Sequence, residues 1–177
     1  MKSNLEISEA QLEQILWDCD AKTLSAIGLD LPYYKKFRQL RIGGYGVCDM
    51  LYYSRHSNLP HPAHTITIVE LKKGQINTGT FLQSVRYARG VQRFFFKKFK
   101  KWGKDGIEYG DLKVNIVLIG KEIDLHSDFC FIADWVNQNS IYSDSNRLYY
   151  YTYNFNPISG LRLKMEKGYV KENEGFK

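Results

Sequence analysis

Thr65-Ile66-Thr67-Ile68-Val69-Glu70-Leu71-Lys72-Lys73 is the most β-prone run in the chain. β-Branched residues fill it, and such side chains pack well on a pleated sheet. Side chains alternate along a strand, so Glu70 and Lys72 point the same way with Leu71 between them. Just upstream, residues 36–42 read as a strand, Gly43-Gly44-Tyr45-Gly46 as a tight turn and residues 47–55 as a second strand, which together make a hairpin. A loop over residues 57–64 with two prolines then leads into the third strand. If the second and third strands pair antiparallel, Asp49 falls beside Glu70.

Further out, Ser8 and Gln11 have the spacing of a capping box, with Ile7 and Leu12 placed for a hydrophobic staple. A helix is expected over residues 9–19, with Leu12, Ile15, Leu16 and Cys19 as its apolar stripe and Glu9 and Glu13 together on a neighbouring face. On the other side, residues 80–102 form a helix with Phe81, Val85, Ala88, Phe95, Phe99 and Trp102 inward and a kink at Gly90. A strand over 113–119, a helix over 128–137 and strands over 148–155 and 161–166 follow, with a loose polar tail after Gly168. No repeat or low-complexity linker divides this order. The expectation is one mixed α+β domain, a core over about 8–120 with a C-terminal strand extension over about 128–167.

A chain of 177 residues is long enough to bury its own core without staples. Cys19, Cys48 and Cys130 are odd in number and far apart, which excludes a disulfide scaffold and fits a reducing, cytoplasmic setting. No apolar run approaches the roughly 18–20 residues needed to cross a bilayer. The net charge of +6 favours polyanionic partners.

Two carboxylates and a lysine converging at a strand end suit a metal better than a core. Mg²⁺, or Mn²⁺, takes oxygen ligands from one or two carboxylates and leaves the remainder to phosphate and water. A metal held there activates water and stabilises charge in phosphodiester hydrolysis, while Lys72 orients or helps deprotonate the attacking water. At Asp49 and Glu70-Leu71-Lys72 the chain resembles the PD-(D/E)XK nuclease superfamily, whose signature is an acid on the second strand and E-x-K on the third. Ser-Glu-Ala-Gln-Leu-Glu in the first helix resembles that superfamily's acidic first helix, and Gln83 with Tyr87 resembles the Q-x-x-x-Y of its RecB-like and archaeal-repair-nuclease-like branches. Cys48 stands where the motif's proline would be.

The resemblance covers about residues 8–120 and implies a restriction-endonuclease-like αβββαβ core with a central mixed sheet flanked by helices. It implies Asp49, Glu70 and the Leu71 carbonyl as metal ligands, with Glu9 or Glu13 joining the metal or its water network, and Lys72, Gln83 and Tyr87 as further site residues. It implies a DNA endonuclease. The alternative is a subunit that binds nucleic acid without cutting, or that depends on a partner within a repair, restriction, transposition or phage assembly complex.

Arg86, Arg89, Arg93, Lys97 and Lys100 step by 3, 4, 4 and 3 along the second helix, a one-sign stripe suited to phosphate contacts. One site per chain would call for a homodimer to cut both strands of a duplex. His61 and His64 flank a proline that prevents their alignment as a helical metal pair, and the aromatic run 149–153 reads as sheet packing.

Overall fold

The computed structural model describes residues 6–56, 63–100, 112–124, 128–129, 132 and 147–166, with backbone alone for 56, 63, 99 and 100. The capping box forms as the spacing dictates. Ser8 accepts the Gln11 N–H at 3.2 Å, Gln11 Oε1 accepts the Ser8 N–H at 2.9 Å, and α1 runs Glu9–Asp18. Asp20 accepts the Thr23 N–H at 2.7 Å and starts α2, Ala21–Ala26. The hairpin follows as β1 (Lys35–Arg41), a 3₁₀ turn at Gly43–Tyr45, and β2 (Val47–His56). After it come β3 (Ala63–Leu71), the two-residue β4 (Gln75–Ile76) and α3 (Thr78–Lys100). The chain then forms β5 (Leu112–Gly120), β6 (Glu122–Ile123), β7 (Leu148–Asn156) and β8 (Gly160–Met165).

Six strands form one mixed sheet in the order β1-β2-β3-β5-β7-β8. The two hairpin-built flanks pair antiparallel, whereas β3 with β5 and β5 with β7 pair parallel. A parallel pair needs a crossover, and α3 supplies the one between β3 and β5. Strands covered on both faces carry near-continuous apolar runs, as β5 does from Ile116 to Ile119, all buried.

Helices flank both faces, which makes the protein mixed α/β. On one side Ile66, Ile68, Val114 and Leu118 pack with Phe81, Tyr87, Ala88 and Val91 of α3. On the other, Val69, Leu71, Val117 and Ile119 pack with Leu12 and Leu16 of α1 and Leu24 of α2. Each Val, Leu, Ile or Phe among them contributes roughly 1.5–3 kcal/mol when fully buried. The β8 edge is tied to the segment after α2, because the Leu163 N–H donates to Ile27 O at 2.7 Å.

Three expectations need correction. Val85 is 39% exposed, since the inward stripe of α3 runs Phe81, Ser84, Tyr87 and Ala88, Val91. The helix passes unbroken through Gly90, whose role is close approach: a Cβ there would lie 2.6 Å from both Ile42 Cγ2 and the Tyr45 ring. Third, β3 stops at Leu71, not Lys73. Among the described residues no helix is long and apolar enough to cross a membrane. The expected helix over 128–137 lies mostly outside the described residues, as do the tail after Gly168, His61 and Cys130.

Candidate active site

Where β2 leaves β3, the site opens. Their register runs from His56 opposite Ala63 to Met50 opposite Val69. At the next position the Asp49 side chain takes over, its Oδ2 accepting the Leu71 N–H at 2.8 Å. Leu71, expected to offer its carbonyl, is also tied to the site through its N–H. Glu70 is 1% exposed, and its Oε1 accepts from Lys72 Nζ at 2.9 Å. Its other oxygen, Oε2, is buried and has no hydrogen-bond partner among the described residues.

Such a group is expensive, because a buried carboxylate needs a compensating charge or donor on each lone pair. Burial first, then the nearby Asp49 charge, pushes Glu70 up to about 7. Burial also raises Asp49, against the Leu71 N–H and the Lys72 charge. For Lys72, burial favours the neutral amine, but the hydrogen bond and charge of Glu70, then Glu9 and Asp49, outweigh it and raise the pKa. In the metal-free protein Lys72 is therefore an ammonium at neutral pH, suited to orienting and charge stabilisation.

The first-helix acids separate. Glu9 Oε1 accepts the Lys73 N–H at 2.9 Å, beside the site. Glu13 is buried, pairs with Arg38 and accepts from Gln39 Nε2 at 2.6 Å. The same Gln39 amide reaches Asp49 Oδ1 at 3.4 Å, so it bridges the helix acid and the strand acid. Gln39 has φ +47°, unusual for a residue with a side chain and a strain of roughly 1–3 kcal/mol of the kind that gathers at functional sites. Sequence reading missed this residue, since a glutamine inside a strand carries no signal that its backbone is left-handed.

Gln83 and Tyr87 meet each other rather than the carboxylates: Gln83 Nε2 donates to Tyr87 OH at 2.7 Å. The Tyr87 ring is buried against Gly46, where a Cβ would sit 2.8 Å from Cε1. Gly46 has φ +116°, so only glycine serves both the turn and the contact. The pair fastens α3 to the start of β2, the strand that carries Asp49.

Arg86, Arg89, Arg93 and Lys97 are all exposed along α3, and none joins an ion pair among the described residues. Arg93 donates to Tyr45 OH at 2.7 Å, and Arg86 lies over the Tyr87 ring. The Lys100 side chain is outside the described set. His64 is a buried core residue bonded to Tyr53 OH at 2.8 Å.

Among the described residues no cluster of three or more His, Cys, Asp or Glu forms a cage. Asp49 and Glu70 nevertheless fit a hard cation, because the orphaned Glu70 Oε2 lacks a positive partner and Mg²⁺ needs few protein ligands. No protein-family model, curated protein or solved structure matches the chain.

Proposed function

We propose that the protein is a nuclease of the PD-(D/E)XK kind, dependent on Mg²⁺ or Mn²⁺, that hydrolyses DNA phosphodiesters as an endonuclease. The observation that carries this reading is the buried Glu70 carboxylate, one oxygen on Lys72 and the other unpartnered among the described residues, beside Asp49 where two strands part. With the short α2 and β4 set aside, the order α1, β1, β2, β3, α3, β5, the acid on β2 and an E-x-K that begins on β3 and ends one residue past it support this reading.

Asp49 and Glu70 would hold the ion, with Glu9 beside them at Lys73. When bound, the ion supplies Lewis acidity and lowers the pKa of water. Lys72, anchored by Glu70, orients the attacking water and stabilises the charge that grows on the phosphate oxygens. As the new P–O bond forms, the attacking water gives up a proton to solvent, the bond to the leaving oxygen breaks and that oxygen takes up a proton. Gln39 and the Gln83–Tyr87 pair hold Asp49's strand in place. The α3 stripe of Arg86, Arg89, Arg93 and Lys97 contacts backbone phosphates, which carry affinity without sequence information.

The test is cleavage of circular and linear DNA, single- and double-stranded, with Mg²⁺, Mn²⁺ or EDTA. Metal-dependent cutting is expected, falling by roughly 10²-fold or more in Lys72→Ala and in Asp49→Asn, on the scale of losing one transition-state contact. Full activity in both variants overturns the assignment. A second reading, a partner-dependent or non-cleaving subunit, is favoured by Leu82, Val85 and Phe94 exposed among the cations of α3. Binding without cleavage in any metal would support it.

A further inference from the structure

Beside the site, the carboxyl ends of the parallel strands β3, β5 and β7 border a cleft of about 190 Å³. Glu6, Lys73, Lys121, Glu122, Tyr153 and Phe155 line it. Ligands of open α/β sheets gather at this end of the strands. The cleft is smaller than the roughly 300–1,000 Å³ of pockets that enclose a whole small molecule. It suits one segment of a longer ligand.

Lys73 follows β3 and Lys121 follows β5, yet both ammonium groups converge on one carboxylate. Lys121 Nζ lies 3.1 Å from Glu6 Oε1 and Lys73 Nζ 3.3 Å from Glu6 Oε2. All three side chains are over a third exposed, so these pairs hold Glu6 only weakly. Tyr153 OH donates to Lys73 O at 2.9 Å, which sets an aromatic ring at the cleft wall with Phe155 two residues on, on the same strand face. Lys73 is the residue next to Lys72, so the cleft adjoins the candidate centre.

The geometry points to a phosphate subsite: Lys73 and Lys121 bind a backbone phosphate of the nucleic-acid strand flanking the cut bond, displacing the Glu6 carboxylate that occupies them here, with Tyr153 and Phe155 against the adjoining nucleotide. This rests on the nuclease reading and extends its substrate contacts beyond the cut bond. Glu6 is a built-in competitor of the same charge and similar oxygen spacing. A polynucleotide outcompetes it because each phosphate it places on a lysine also releases condensed counterions.

The test is oligonucleotide binding in EDTA, where metal-dependent cutting cannot run, read by fluorescence anisotropy across salt concentrations. Lys73→Ala/Lys121→Ala is expected to weaken binding at least tenfold and to make the salt slope shallower by about 1 to 2. Lys22→Ala/Lys35→Ala, which removes the same charge from exposed positions elsewhere, changes affinity less than threefold. Glu6→Gln tightens binding severalfold, a gain that misfolding cannot imitate. Equal losses in the two double variants, or no gain in Glu6→Gln, overturn the subsite while leaving the nuclease reading standing. Wild-type protein that binds no oligonucleotide in EDTA overturns the subsite, and the nuclease reading is overturned separately, by the cleavage assay.

Discussion

Glu70 concentrates the conflict between folding and chemistry in this protein. Its ordinary value is 4.5 and the fold raises it to about 7, so the folded state holds this proton more tightly than the unfolded chain does. Glu70's contribution to the stability of the metal-free protein is therefore full below about pH 4.5 and is lost as pH rises through about 7, by up to about 3 kcal/mol. Asp49 adds to the same trend, its carboxyl also being raised by burial. Glu6, Asp20 and Glu166 have lowered values, so their contribution is lost only at more acid pH, outside this window. Glu70→Gln should flatten the fall and melt higher than wild type at pH 8 in EDTA. Mg²⁺ should raise the wild-type melting temperature and leave the variant nearly unmoved, since an ion that binds only the folded state stabilises it by mass action. A variant no more stable than wild type at pH 8 would remove Glu70 from this role.

Among the elements, α3 bears the most tasks: it is the crossover between β3 and β5, the cover for one sheet face and the carrier of the cationic stripe. Gly90 sets its distance from the hairpin turn. Helix propensity favours alanine there by about 1 kcal/mol, while the steric overlap with Ile42 and Tyr45 opposes it at roughly 1–3 kcal/mol. Gly90→Ala should therefore destabilise in urea unfolding; a gain in stability would mean that the turn moves aside freely. The elements that sequence revealed were those with local causes. The capping box placed α1, alternation placed β2 and β3, and the length of the apolar pattern placed α3. The start of α3 two residues early reflects Asn77, whose Oδ1 accepts the Thr80 N–H at 3.0 Å. The short α2 carries a readable cap in Asp20 and Thr23 but too few turns for a periodic stripe. β4 and β6 are two residues each and exist because neighbouring strand ends meet. At the site, Asp49, Glu70 and Lys72 were legible because strand alternation fixes their direction. The Gln39 bridge and the Lys73–Glu6–Lys121 cluster were not, since they join residues distant in sequence.

At the scale of the whole molecule, the strands β7 and β8 are structural rather than appended. β7 lies parallel to β5 against Ile116–Gly120, and Tyr151, Leu161 and Leu163 belong to the core beneath α1 and α2. A chain ended after Arg147 should fail to unfold cooperatively in circular dichroism melts, because it exposes one edge of β5 and the apolar faces of α1 and α2. A sharp melt close to wild type would make the chain through Arg147 self-sufficient. The parallel pairing of β3 with β5 has another consequence. His64 meets Leu112 and Leu71 meets Ile119, partners separated by 48 residues of chain. The β1–β2–β3 meander can form as soon as it leaves the ribosome, yet the far edge of β3, rich in isoleucine and valine, has no partner until β5 is made. At about 5–20 residues per second that wait lasts roughly 2 to 10 s. During synthesis an inner strand of the finished sheet is thus, for seconds, an open edge and a route to aggregation.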